Sequence, residues 1–256
     1  LIKCIKAIKN VLLNKDKEMM PNIFTNNTIC ELGVTFLSLG RKFSYDFKYD
    51  VKENQFIYES FYEILKDQYN NEKEICWLKK DTISEEYECL DPSLKDVIPV
   101  VSKNNLLYYV TDTNKFEHIN RMKEILVGFA SKIDVINMNN IPISNTIEVM
   151  KNTNQIQEKV VEFIKNSDLY MDNFEYVDMD KIAVELNDAV DKPDEMVLNL
   201  PDSFMDQIRM VSTYKGVKVP SILFDSTGTK KIAAIASYVI QALEQGRILV
   251  VDELDS

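Results

Sequence analysis

The sequence predicts an α/β protein with an antiparallel β lobe and a helical insertion, and three stretches carry that prediction. Between Thr28 and Leu90 the apolar residues recur at every second position. In the middle of the chain they recur at helical spacing. Toward residue 256 a helical stretch passes, across Gly246, into a short apolar strand. A chain of 256 residues is long enough to bury a proper core, as one large domain or two small ones.

The first element is a helix over Leu1–Leu13 (LIKCIKAIKNVLL), with Leu1, Ile5, Ile8 and Leu12 on one face and lysines between them. It has no cap of its own and reads as though its N-terminus lay upstream; Met20-Pro21-Asn22 breaks it. The period then becomes two. Cys30, Leu32, Val34 and Phe36 alternate with Glu31, Gly33 and Thr35. After Leu39-Gly40-Arg41-Lys42, Phe43, Tyr45, Phe47 and Tyr49 alternate with Ser44, Asp46 and Lys48. This is an antiparallel hairpin with one buried face, to which Gln55–Leu65 and Ile75–Lys79 add strands. An aromatic stripe at strand period is the mark of a core face rather than of a base-stacking platform.

Helices are expected next. Ile119, Met122, Ile125, Leu126, Phe129 and Ile133 mark one amphipathic face, and Ile156, Val160, Phe163 and Ile164 mark another. His118, just before the first face, reads as a surface or capping side chain. The stretch from Asn166 to Pro201 is acidic and irregular, with a short helix expected around Asp180 to Val190. Its run of Asp178, Asp180, Glu185, Asp188, Asp191, Asp194 and Glu195 reads as a solvated face, since a calcium loop needs tighter spacing and a central glycine. Val217 to Phe224 reads as an apolar strand interrupted by Pro220, hence an edge or a bulge. A polar turn, Asp225-Ser226-Thr227-Gly228-Thr229-Lys230, follows. Ile232, Ile235, Ala236, Val239, Ile240 and Leu243 define the last helix face, Gly246 caps it, and Ile248 to Val251 form the final strand.

Composition narrows the function classes. Thirty basic against forty-one acidic side chains give a net charge of −11, a poor general coat for DNA, RNA or anionic membrane, although a local basic patch stays open. Cys4, Cys30, Cys76 and Cys89 are widely spaced, form no C-x-x-C pair and have one histidine to join them, so no zinc site is expected. Sparse cysteines and the lack of a signal peptide point to a reducing cytoplasm. No apolar stretch approaches the roughly 20 residues of a membrane span. None of the six glycines belongs to a G-x-x-x-x-G-K-[ST] loop, so a phosphate-cradling loop is absent from residues 1–256.

Two constellations carry chemistry. The final strand ends in Asp252-Glu253, adjacent carboxylates at the edge where an open α/β sheet binds ligands. There an aspartate can hold magnesium, largely through water, and a glutamate can polarise an attacking water. One helix upstream, Ser226-Thr227-Gly228-Thr229-Lys230 places a hydroxyl, a glycine amide and an ammonium group at a helix N-terminus, a setting that favours anions. Each alone has a plain explanation, because strands often end in acids and a serine cap followed by glycine is common. Chance seldom supplies the anion-binding start, the helix, the glycine stop and the strand ending in Asp-Glu in that order.

The stretch FDSTGTKKIAAIASYVIQALEQGRILVVDELDS resembles the segment from signature helix to Walker B strand of ABC-type ATPases. The likeness is to the bacterial AAA-type ATPases of the RecF/SMC-like clade, which include ATP/GTP phosphatases and OLD-like, anti-phage ATPases. LIKCIKAIKNVLL resembles the helix that directly follows their phosphate loop, and the strands at 28 to 65 resemble the antiparallel lobe that comes next. The resemblance is specific at the C-terminus and weak between 95 and 215.

The resemblance implies a P-loop NTPase fold and a single ATPase head segment over 1–256. Residues 1–14 would follow Walker A, 28–90 would form the antiparallel β lobe, 91–215 a mostly helical insertion, and 216–256 the signature helix and Walker B strand. Asp252 would be the magnesium residue and Glu253 the general base. Ser226, Gly228, Thr229 and Lys230 would contact the γ-phosphate of ATP held by a second protomer, in a homodimer closed through an ATP sandwich. Thr227 stands where the transporter pattern has glycine, and Asp255 and Ser256 would begin the D-loop. The implied activity is ATP hydrolysis in the full-length protein, in a bacterial defence or nucleic-acid-associated system, while residues 1–256 alone lack the phosphate loop and are expected to be inactive. The alternative is an ATP-gated clamp or sensor subunit controlling a separate toxin or nuclease effector. Nucleic-acid binding rests on the resemblance alone, without support from the charge.

Overall fold

The amphipathic pattern of the first residues produces helix α1, Ile2–Leu12, which buries Ala7, Ile8, Val11 and Leu12 and leaves Lys3 and Lys6 exposed. The computed structural model describes residues 1–15, 19, 27–94, 97–98, 105–106, 116–152, 155–167, 170–177 and 201–253. The chain divides into two compact units, Leu1–Ile133 and Asp134–Ser256, where the sequence suggests a single head segment.

In the first unit the period-two stretches become a five-stranded antiparallel sheet in the order β1-β2-β3-β4-β5. Its strands are β1 (Ile29–Ser38), β2 (Arg41–Asp50), β3 (Gln55–Lys66), β4 (Glu72–Asp81) and β5 (Glu86–Cys89). The β1–β2 register pairs Leu32 with Phe47, Val34 with Tyr45 and Phe36 with Phe43, so the apolar sets share one face. Leu39 and Gly40 make the connecting turn with φ of 52° and 75°, the handedness that matches strand twist in a two-residue hairpin. Phe43, Tyr45, Phe47 and Tyr49 are all buried. Phe43 stacks on Phe61 at 5.4 Å between centroids, and Trp77 stands edge-on to both.

A buried ion pair sits in the same core. Lys80 Nζ lies 3.3 Å from Glu59 Oε2, and both side chains are fully buried. Tyr45 Oη donates to Glu59 Oε1 at 2.9 Å and the Leu106 backbone N–H to Oε2 at 3.1 Å. Burial pushes the Lys80 ammonium below its ordinary pKa, against the opposing pull of Glu59. Helix α2 (Glu117–Ser131) covers this unit through Ile119, Met122, Ile125, Leu126 and Phe129, and Phe129 stacks on Phe36 at 4.1 Å. His118 stands half-exposed, with Nδ1 2.8 Å from Asp91 Oδ1, and it is Asp91 that meets the helix start, its Oδ2 accepting from the Ile119 N–H at 3.1 Å. Ile133 corrects the expected helix face, since the helix ends at Ser131 and Ile133 opens strand β6 (Ile133–Asn137).

The second unit mixes helices with two small sheets. Helices α3 (Ser144–Lys151) and α4 (Gln155–Ser167) pack against the long helix α7 (Thr227–Gln245). An antiparallel sheet in the order β7-β8-β9 is made of β7 (Asn173–Tyr176), β8 (Met210–Tyr214) and β9 (Val217–Pro220), and helix α5 (Asp202–Ile208) falls between β7 and β8 in the chain. Segment 91–215, expected to be mostly helical, thus also contributes β6, β7 and β8. The strand expected over Val217–Phe224 ends at Pro220, and Ser221–Phe224 forms the single helical turn α6. Proline lacks the N–H a further ladder bond needs but suits the residue before a helical turn, and β9 is indeed an edge strand. Residues 178–200, with the expected helix at Asp180–Val190 and the acidic run, lie outside the described residues.

Alanines 233, 234 and 236 give α7 a small-residue face that lets its neighbours approach, and Thr146 Oγ1 donates to the Ala233 carbonyl at 2.8 Å. Leu243, expected on the buried face, is instead exposed. Gly246 ends α7 at φ 61° and ψ 39°, the left-handed cap glycine adopts without a Cβ clash. The chain returns as β10 (Ile248–Asp252), which pairs with β6. Arg247 grips Asp134 with two bonds, at 2.7 and 2.9 Å, beside the starts of the two strands. Asn139 bonds Glu253 just past their ends. Start lies beside start and end beside end, so β6 and β10 run in the same direction. Ile235 of α7 packs over this pair with Ile136, Met138, Leu249 and Val251. Among the described residues, no helix is long and apolar enough to cross a membrane.

Candidate functional site at the start of the long helix and the end of the last strand

Asp225 anchors the turn that begins α7. Its carboxylate is buried and accepts from three hydroxyls: Ser212 Oγ at 2.6 Å, Ser221 Oγ at 2.6 Å and Tyr214 Oη at 3.0 Å. Two of these donors belong to β8, so the turn is tied to the central strand of its sheet. Ser226 then caps the helix, with Oγ accepting from the Thr229 N–H at 3.1 Å and lying 3.0 Å from Thr229 Oγ1. The backbone bond from Lys230 N–H to Ser226 O is the first of the helix, so the N–H groups of Thr227 and Gly228 precede it at the positive dipole end.

The expected anion contacts differ in their placement. Ser226, Thr227 and Gly228 are exposed. Thr229 is buried against Ser226, which places it to hold the turn rather than to meet a ligand. Lys230 and Lys231 are half-buried on the wall of a cleft of about 390 Å³. The turn from Met138 to Ile143 that leaves β6 lines the same cleft. Gly228 has no positive φ, and an added Cβ would meet only Ser226 Oγ, at 3.7 Å. Among the described residues, nothing requires a glycine there.

At the other end of the unit's last strand, Asp252 closes β10 half-buried and Glu253 follows exposed. Glu253 has φ 57°, a left-handed setting that non-glycine residues seldom adopt. Its Oε2 accepts from Asn139 Nδ2 at 2.6 Å. Asn139 also lines the cleft with Lys230, so one residue connects the acidic strand end to the basic helix start.

Among the described residues, no group of three or more His, Cys, Asp or Glu side chains is placed to hold a metal ion. Asp252 alone offers one hard carboxylate, a donor set that fits magnesium held mainly by water and by the phosphates of a substrate, and no tighter protein cage. Two residues of the site escaped the sequence reading. Asp225 was visible only as part of a polar turn, and Asn139 followed a short apolar stretch, IDVIN, that ends in an asparagine-rich turn able to signal a strand end. No family model matches the chain, and no curated protein matches it.

Proposed function

We propose that the chain carries the water-activating and magnesium-holding residues of an ABC-type ATPase head with a P-loop NTPase fold, which acts as a head-to-tail homodimer. The observation that carries this reading is the end of β10, where Asp252 and Glu253 emerge beside the end of the co-directional strand β6. Ligands of open α/β sheets bind beyond such carboxyl ends. The unneeded glycine at 228 adds support. An exposed glycine in a first helical turn is a poor helix former, yet it lets a phosphate come close to the backbone.

In this reading Glu253 takes a proton from water as the water oxygen bonds to the γ-phosphorus. The bond from that phosphorus to the bridging oxygen breaks, leaving ADP and phosphate. Asp252 would hold magnesium, which when bound would supply positive charge against the phosphate oxygens. The N–H groups of Thr227 and Gly228 and the ammonium of Lys230 in the second copy meet the γ-phosphate, with Ser226 and Thr229 keeping that turn in shape. No G-x-x-x-x-G-K-[ST] pattern occurs in residues 1–256, so the reading places the main phosphate cradle outside them.

The test is turnover of magnesium-ATP by the full-length protein. Glu253→Gln is expected to lower it by about 100-fold or more while ATP stays bound and the dimer persists in sedimentation. Unchanged turnover removes Glu253 as the base. No magnesium-dependent turnover in the unaltered protein removes the reading.

A further inference from the structure

We propose that Asn139 is a positioning residue for Glu253, holding its carboxylate just past the end of β10; this rests on the ATPase reading of Glu253. The amide of Asn139 donates to Glu253 Oε2 at 2.6 Å, within the short range of hydrogen bonds to charged acceptors. The contact is built by the strands. Asn139 is two residues past the end of β6 and Glu253 one past the end of β10, and the two strands pair.

Both ends of this arrangement are fixed. At the strand starts, the two-bond grip of Arg247 on Asp134 sets the alignment of β6 with β10. At the strand ends, the side chain of Asn137 accepts from the Asn139 N–H at 2.8 Å and shapes the turn that presents the amide. Glu253 itself sits at φ 57°, which directs its side chain away from the course an extended strand would give it.

The donor type matters for a base. A lysine or arginine at position 139 would pair with the carboxylate and compete with the proton that Glu253 must accept. A neutral amide orients the carboxylate and leaves its charge in place. Asn139 also lines the cleft that Lys230 and Lys231 line.

In the full-length protein, Asn139→Ala is expected to lower kcat about 10-fold, the loss of one hydrogen bond to a charged group, with the KM for ATP changed less than about twofold. In a Glu253→Gln background the same substitution should cause no further loss, because the two residues act as one unit. A readout independent of turnover is the side-chain amide resonance of Asn139 in residues 1–256, which Glu253→Ala should move toward the position of a solvated asparagine. Full kcat in Asn139→Ala, or an Asn139 amide indifferent to Glu253→Ala, overturns the proposal while the ATPase reading stands. Turnover that does not depend on Glu253 removes both.

Discussion

The β lobe and the start of α7 are held by different forces. The lobe is an aromatic stack: Phe43, Phe61 and Trp77 touch face and edge in a core that buries large apolar areas. Its stabilisation is strong and weakly directional, since apolar burial scales with area. The start of α7 is instead fixed by hydroxyls converging on Asp225 and by a serine cap. Each such bond adds about 1 kcal/mol net, but each is directional. The difference separates elements that supply stability from those that supply placement, and the candidate site is built from the second kind.

Substitutions can break this contrast in order of size. Phe61→Ala should cost about 3–5 kcal/mol by leaving a cavity under Phe43 and Trp77, measured by urea unfolding. A loss below about 1 kcal/mol would show that the aromatic stack is not the main support of the lobe. Asp225→Ala should cost about 2–3 kcal/mol, because buried Ser212 and Ser221 hydroxyls lose their acceptor, and amide exchange at Thr227 to Lys230 should speed up. Slow exchange there would mean that the cap alone fixes the turn. Gly228→Ala should act in two directions. It should stabilise the fold by up to about 1 kcal/mol, since the added Cβ has room and glycine is a poor helix former. In the full-length protein it should lower ATP turnover. A gain in both would show that no ligand approaches that backbone.

The sequence and the structure agree best where the signal is local. The alternation of Phe43, Tyr45, Phe47 and Tyr49 places a whole strand, because period two assigns each side chain a face without knowledge of its neighbours. The cap at Ser226 and the stop at Gly246 are local in the same sense. Strand β6 escaped because its five residues follow α2 across Lys132 alone, so Ile133 continues the helical spacing of Phe129. Pro220 read as an edge or a bulge, and β9 is an edge strand, yet the residues after it form a helical turn that no period of two or 3.6 resolves over four residues. Asn139 and Glu253 are 114 positions apart, and Asp225 meets Ser212 and Tyr214 of a different element. Such polar pairs obey no period, and only the folded chain reveals them.

The anchoring of Asp225 to β8 links the order of that strand to the shape of the first turn of α7, the turn proposed to meet phosphate. The turn takes its final shape during folding, so a ligand that meets it loses little freedom of its own making. The reverse also holds. Where Ser212 and Tyr214 let go, the turn would leave the form that the proposed phosphate contact needs, and apparent affinity would fall in proportion to the fraction of molecules still holding that form. If the proposed phosphate contact holds, order in β8 would set how tightly the helix start binds.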